Sequence, residues 1–104
     1  MQEQIIITKA MLIKDIAKQT HMKVNDVKIM YNTLESTIFD KLSSTNVNND
    51  ISIRLFEGVT LDGIYTPETT QKNNLTGEVI LIEGRIKPKF STTRYYREKL
   101  NQSL

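Results

Sequence analysis

Six cationic side chains crowd the last twenty residues: Arg85, Lys87, Lys89, Arg94, Arg97 and Lys99, opposed there by Glu98 alone. Guanidinium and ammonium groups at that density suit a polyanion, phosphates above all, because each phosphate neutralised releases condensed counterions. The competing reading is a solvated helix face and strand edge, which needs no ligand. Residues 51–84 have the opposite sign, with Arg54 and Lys72 against Glu57, Asp62, Glu68, Glu78 and Glu83, a net of −3. Residues 1–50 carry six charges of each sign, so the overall +2 hides a neutral front, an acidic middle and a basic end of net +5. Attraction for a polyanion belongs to the C-terminal fifth.

Other chemistry is thinly provided. The chain has no Cys, hence no disulfide framework and no thiolate nucleophile, and a single His, His21, which excludes most zinc sites and Ser–His or Cys–His catalysis. Gly58, Gly63, Gly77 and Gly84 match no phosphate-cradling loop, and scattered carboxylates do not make an acid–base pair. No catalytic residue, metal, cofactor or small-molecule substrate is expected, and the chain does not read as an enzyme. Tyr95 and Tyr96 read as core or interface aromatics in preference to base-stacking platforms.

The elements that must position these residues follow from periodicity. At 104 residues, 38% hydrophobic and 25% charged, the chain has the size and composition of one soluble globular domain. No apolar run approaches the roughly 20 residues that span a bilayer. Met1-Gln2-Glu3-Gln4 before Ile5-Ile6-Ile7 lacks the basic start of a signal peptide, so the expected setting is intracellular, in cytoplasm or nucleoid, or within a virion. Leu12, Ile13, Ile16 and Ala17 share one face of a helix over Lys9–Gln19, with Thr8 as its N-cap. After Thr20-His21-Met22-Lys23, a longer helix is predicted over Val24–Leu42, striped by Val27, Met30, Tyr31, Leu34, Ile38 and Leu42. That stripe predicts burial against a partner subunit, with an intrachain core as the alternative.

Past the polar loop Ser43–Asp50 the period drops to 2, and Ile51, Ile53 and Leu55 mark a strand. Val59-Thr60-Leu61 is a short second strand between Gly58 and Gly63. Pro67–Asn74 is an exposed excursion, Thr76-Gly77 a turn and Val79–Ile82 an apolar strand; Pro88 is expected to end pairing. Ser91 or Thr92 caps a final helix carrying Tyr95, Tyr96 and Leu100. The order is helix, helix, three strands, helix, an α+β class.

This order, with the residues at its key points, resembles the HU/integration host factor family of bacterial DNA-bending proteins. The likeness runs over residues 8–101: Leu12-Ile13, Ile16-Ala17, Thr20, Asp26 and the stripe to Leu42; Phe56 at the glycine-rich strand turn; Asn73-Asn74-Leu75-Thr76-Gly77-Glu78, similar to an arm-tip Asn-Pro-x-Thr-Gly-Glu; and Pro88-Lys89-Phe90 before a closing helix. The resemblance implies a helical hairpin, a three-stranded antiparallel sheet with a β-ribbon arm (about 62–83), a short C-terminal helix, and an intertwined dimer with itself or a paralogue. Residues 1–7 would extend the domain and 102–104 form a tail. It also implies that Val27, Met30, Tyr31, Leu34, Ile38, Leu42, Phe56 and Phe90 face the partner, and that His21 replaces a usual Gly as a left-handed turn residue.

Departures fall on the working parts. In the family a tip proline wedges between base pairs, whereas here the tip is Asn73, Asn74, Thr76 and Gly77, with Asn74 at the proline position. The arm should be cationic but has Lys72 alone, and Glu57-Gly58 stands where Gly-Asn is expected. The charge inversion favours a non-enzymatic assembly module, using the fold for contacts with other proteins in a phage particle. The alternative is an architectural, sequence-independent DNA-binding protein gripping duplex through Arg85, Lys87, Lys89, Arg94, Arg97 and Lys99, with Lys72 peripheral.

Overall fold

The computed structural model describes residues 3–102 and 104, so Met1 and Gln2 of the N-terminal extension and Ser103 of the tail lie outside the described residues. The order is α1 (Lys9–Thr20), α2 (Val24–Leu42), β1 (Ile51–Phe56), β2 (Val59–Thr66), β3 (Thr69–Lys72), β4 (Val79–Ile82), β5 (Arg85–Thr92) and α3 (Arg94–Leu100). It divides into two compact units, Met1–Thr37 and Ile38–Leu104, with α2 running across the boundary.

The first unit is the helical hairpin. Thr8 caps α1 as expected, its hydroxyl accepting from the Met11 N–H at 3.3 Å. The helix stops because His21 turns left-handed (φ 57°), a conformation that closes the last turn by donating its N–H to Ala17 O. Ile13 and Ala17 meet Val27 in a small core, with Tyr31 half-buried beside it. Val27 is only 2% exposed within its own chain, which corrects its assignment to the partner-facing stripe. At the N-terminal side of this unit Ile5, Ile6 and Ile7 stand exposed.

The second unit holds two antiparallel sheets, one ordered β1-β2-β5 and one formed by β3 and β4. Five strands therefore replace the three read from sequence, because Thr69–Lys72, polar throughout, pairs with Val79–Ile82 by backbone alone. The second strand is longer than Val59–Leu61 suggested: β2 stays paired with β5 out to Thr66 opposite Arg85, and since β1 reaches only Gly63, Ile64–Thr66 and Arg85–Lys87 pair as two strands alone ahead of β3 and β4. Pro88 does not end pairing; it sits within β5 opposite Gly63. A proline is tolerated there because β5 is an edge strand, where the missing N–H can face away from the ladder. The final helix is capped by Thr93, one residue past the predicted position, whose hydroxyl accepts from Tyr96 N–H at 3.2 Å. Its backbone N–H donates to Gly58 O at 2.9 Å, fastening the helix start to the β1–β2 turn.

Gly63 shows why this sheet needs a glycine at its centre. A Cβ there would overlap the Thr45 hydroxyl and touch Leu42 Cδ2 at 3.1 Å. The end of α2 and the following loop thus press against the sheet face that carries Ile53, Leu61 and Val59.

Candidate nucleic-acid interface

Strand register decides which cations act together. In an antiparallel ladder, residues directly opposite one another share a face. Ser52 opposes Asp62, which opposes Lys89; Arg54 opposes Thr60, which opposes Ser91; Ile64 opposes Lys87 and Thr66 opposes Arg85. One face of the three-stranded sheet therefore carries Arg54, Arg85, Lys87 and Lys89, with Asp62 its one acidic group, a net of +3. The four cations are exposed, while Asp62 is half-buried among the strands. The opposite face holds Ile51, Ile53 and, past a bulge at Leu55, Phe56 of β1, Val59, Leu61 and Gly63 of β2, and Ile86, Pro88 and Phe90 of β5. Alternation along the strands, interrupted in β1 by the bulge, thus makes one face apolar and gathers the cations on the other, with Ile64 among them.

The remaining predicted cations are placed differently. Arg94 Nε pairs with Glu98 Oε1 at 2.8 Å along the exposed helix, and the Arg97 guanidinium donates to the Thr92 carbonyl and hydroxyl. Lys99 is exposed on α3, and Lys72 lies on the separate ribbon, opposite Val79. The structure brings together Arg85, Lys87 and Lys89 and adds Arg54, which the sequence reading left out. Its signal was the alternation Ile53-Arg54-Leu55, which sets Arg54 opposite to the buried pair; what joined it to β5 was the intervening strand.

The ribbon tip is a fixed turn. Asn73 N–H donates to Glu78 O at 2.8 Å, Gly77 N–H to Asn73 O at 2.7 Å, and Asn73 Oδ1 accepts from Leu75 N–H at 3.0 Å. Thr76 Oγ1 accepts from Glu78 N–H at 3.3 Å, and Gly77 takes φ 73°, which glycine adopts without strain. Asn74 has no apolar surface to insert between bases, so the tip lacks a proline wedge.

Apolar side chains left uncovered are unusually many for a soluble chain of this size. Leu34 is 51% exposed, Phe90 63% and Phe56 65%, with Met30 similarly open; Tyr31, Ile38 and Leu42 are half-buried. Among the described residues, no cluster of His, Cys, Asp or Glu could hold a metal, and no helix is long and apolar enough to cross a membrane.

A helical hairpin followed by an antiparallel sheet with one cationic face, a projecting ribbon and a short closing helix defines a small α+β scaffold of the HU type. The family model described as bacterial DNA-binding protein matches residues 7–101. The chain belongs to this family, that of HU and integration host factor, as a divergent member. It is 30% identical over 98 residues to integration host factor subunit beta of Pseudoalteromonas translucida (strain TAC 125), covering 93% of this chain and 98% of that protein. The same subunit from Teredinibacter turnerae (strain ATCC 39867 / T7901) is 31% identical over 99 residues, 93% of this chain and 95% of its own. Among solved structures, Anabaena HU in a cocrystal with DNA superposes with a TM-score of 0.65 at 19% identity, over 92% of this chain and 99% of that one, a likeness of fold.

Proposed function

We propose that this protein is an architectural, sequence-independent DNA-binding protein that acts as a dimer and holds duplex against the cationic face of its three-stranded sheet. The observation that carries this reading is the register that aligns Arg54, Arg85, Lys87 and Lys89 on one side of the strands. Four cations on a fixed surface suit a phosphate backbone, which presents charge at regular spacing and asks for no base-edge readout. The dimer rests on the uncovered residues Met30, Leu34, Phe56 and Phe90, which a second subunit would take out of water.

The relatives support duplex binding over the assembly module that the charge of the ribbon had favoured. Both named relatives are integration host factor subunits, and the similar structure is that of an HU–DNA complex. A role in a phage particle has no support beyond composition and is not carried forward. The ribbon keeps its consequence within the DNA reading: with Lys72 against Glu68, Glu78 and Glu83 it adds few phosphate contacts, and with Asn74 at the tip it has no proline wedge, Leu75 being the exposed apolar side chain there. The duplex is then held by the sheet and bent weakly.

A mobility-shift titration of purified protein with unrelated duplexes at 50 mM salt tests the reading. Micromolar binding of similar strength to each duplex is expected. No shift at any protein concentration that remains soluble would end it.

A further inference from the structure

We propose that the acidic ribbon of one molecule docks on the cationic sheet face of another, so that the free protein self-associates beyond its dimer and duplex DNA competes with that contact. Two features of the same unit carry this. The ribbon places Val79, Ile80, Leu81 and Ile82 in one strand opposite Lys72, Gln71, Thr70 and Thr69. Since alternate residues point to opposite faces, Val79 and Leu81 open one side of the ribbon and Ile80 and Ile82 the other. A two-stranded ribbon has no third layer to cover either, and Val79, Ile80 and Leu81 each remain more than half exposed. Contiguous apolar surface of this kind marks a contact site.

Charge identifies the occupant. The ribbon carries Glu68, Glu78 and Glu83 against Lys72, while the sheet face carries Arg54, Arg85, Lys87 and Lys89 against Asp62. Glu78 and Glu83 flank β4 five residues apart and so fall on opposite sides of the ribbon, Glu78 with Ile80 and Ile82, Glu83 with Val79 and Leu81. Either side of the ribbon therefore presents a carboxylate beside an apolar pair to the cations of β5 in a second copy. A second copy brings both halves in equal number. The ribbon cannot serve its own sheet, because it departs directly from β2 and β5 at Thr66 and Arg85 with only Pro67-Glu68 and Glu83-Gly84 as connections.

The inference shares the sheet face with the DNA-binding reading but is tested separately. Sedimentation velocity of the full-length, nuclease-treated protein is run at 50 and 500 mM salt over a range of concentrations. The weight-average mass is expected to exceed the high-salt value at 50 mM, and to return to it on adding a short synthetic duplex. The variant Glu68→Gln/Glu78→Gln/Glu83→Gln, which keeps the apolar strand, should weaken self-association at least tenfold and leave DNA affinity equal or higher. Arg85→Gln/Lys87→Gln should weaken both. Mass independent of salt, or association unchanged in the glutamine variant, would overturn the proposal whatever DNA does. If no duplex shifts yet salt-sensitive, glutamate-dependent association persists, the contact stands and the DNA reading falls.

Discussion

Lys87→Ala gives the sharpest measure of whether the sheet face holds phosphates. Lys87 is the middle cation of the β5 row, exposed and opposite Ile64, so its removal leaves the strand pairing intact. Each chain places four cations on the face, and a dimer eight. With a slope in log K against log salt of about −0.9 per phosphate neutralised, full engagement gives about −7 for the dimer, a loss of about 10⁴-fold in affinity between 50 and 200 mM salt. Removing Lys87 from both subunits leaves six cations, a slope of about −5 and a loss of about 10³-fold over the same range. Fluorescence anisotropy with a labelled duplex at four or five salt concentrations resolves these slopes. Lys72→Ala, on the ribbon, should leave the slope where it was. An unchanged slope in both Lys87→Ala and Arg54→Ala, or a fall produced by Arg94→Ala/Arg97→Ala instead, would refute the placement of the duplex on this face.

His21→Gly should stabilise the protein by about 0.5–1 kcal/mol: the left-handed residue at φ 57° costs an L side chain about 1–2 kcal/mol, less the greater unfolded-state entropy of glycine. A thermal melt would show this as a rise of a few degrees, and no rise would mean that the imidazole makes a compensating contact. Thr45→Val should add about 1 kcal/mol, because Thr45 is 5% exposed and its hydroxyl has no hydrogen-bond partner among the described residues. Gly63→Ala should cost about 1–3 kcal/mol in the same melt, since its methyl would overlap that hydroxyl and crowd Leu42. Leu34→Asp should convert the dimer to monomer in size-exclusion chromatography with light scattering, and a variant that stays dimeric would place the subunit interface elsewhere.

Period and punctuation made the helices and most strands legible. Thr8 as a cap and the full length of α2 follow from local rules, because capping and helical periodicity act within a few residues, whereas the left-handed His21 follows from the family resemblance. The misreadings share a different cause. Pro88 reads as a strand breaker because a proline cannot donate to a ladder, yet at the sheet edge no donation is required; only the order β1-β2-β5 reveals that β5 is the edge. Thr69–Lys72 carries no apolar signal, and its strand character comes from β4 across the ladder. Val27 and Leu34 lie on the same predicted stripe, but one is sealed against Ile13 and Ala17 while the other is open, a difference that periodicity within α2 does not carry. The candidate site was half legible for the same reason. Arg85, Lys87 and Lys89 alternate within one strand, whereas joining Arg54 to them requires knowing that β2 lies between.

The same register also shows why the charge inversion that first argued against DNA does not decide the matter. Net charge over residues 51–84 mixes two surfaces that the fold keeps apart. Arg54 and Asp62 belong to the body sheet, with Glu57 in its β1–β2 turn, where these two acids are outnumbered by Arg54, Arg85, Lys87 and Lys89; Lys72, Glu68, Glu78 and Glu83 belong to the ribbon and its connections. Attraction for a polyanion falls off within about 10 Å at 0.1 M salt. Glu83, about 7 Å along the chain from Arg85, offsets the outer end of the row, whereas Glu78 at the far end of the ribbon lies beyond that range, so a duplex on the sheet is governed mainly by Arg54, Lys87 and Lys89. Sign matters surface by surface, and on the sheet it favours phosphate.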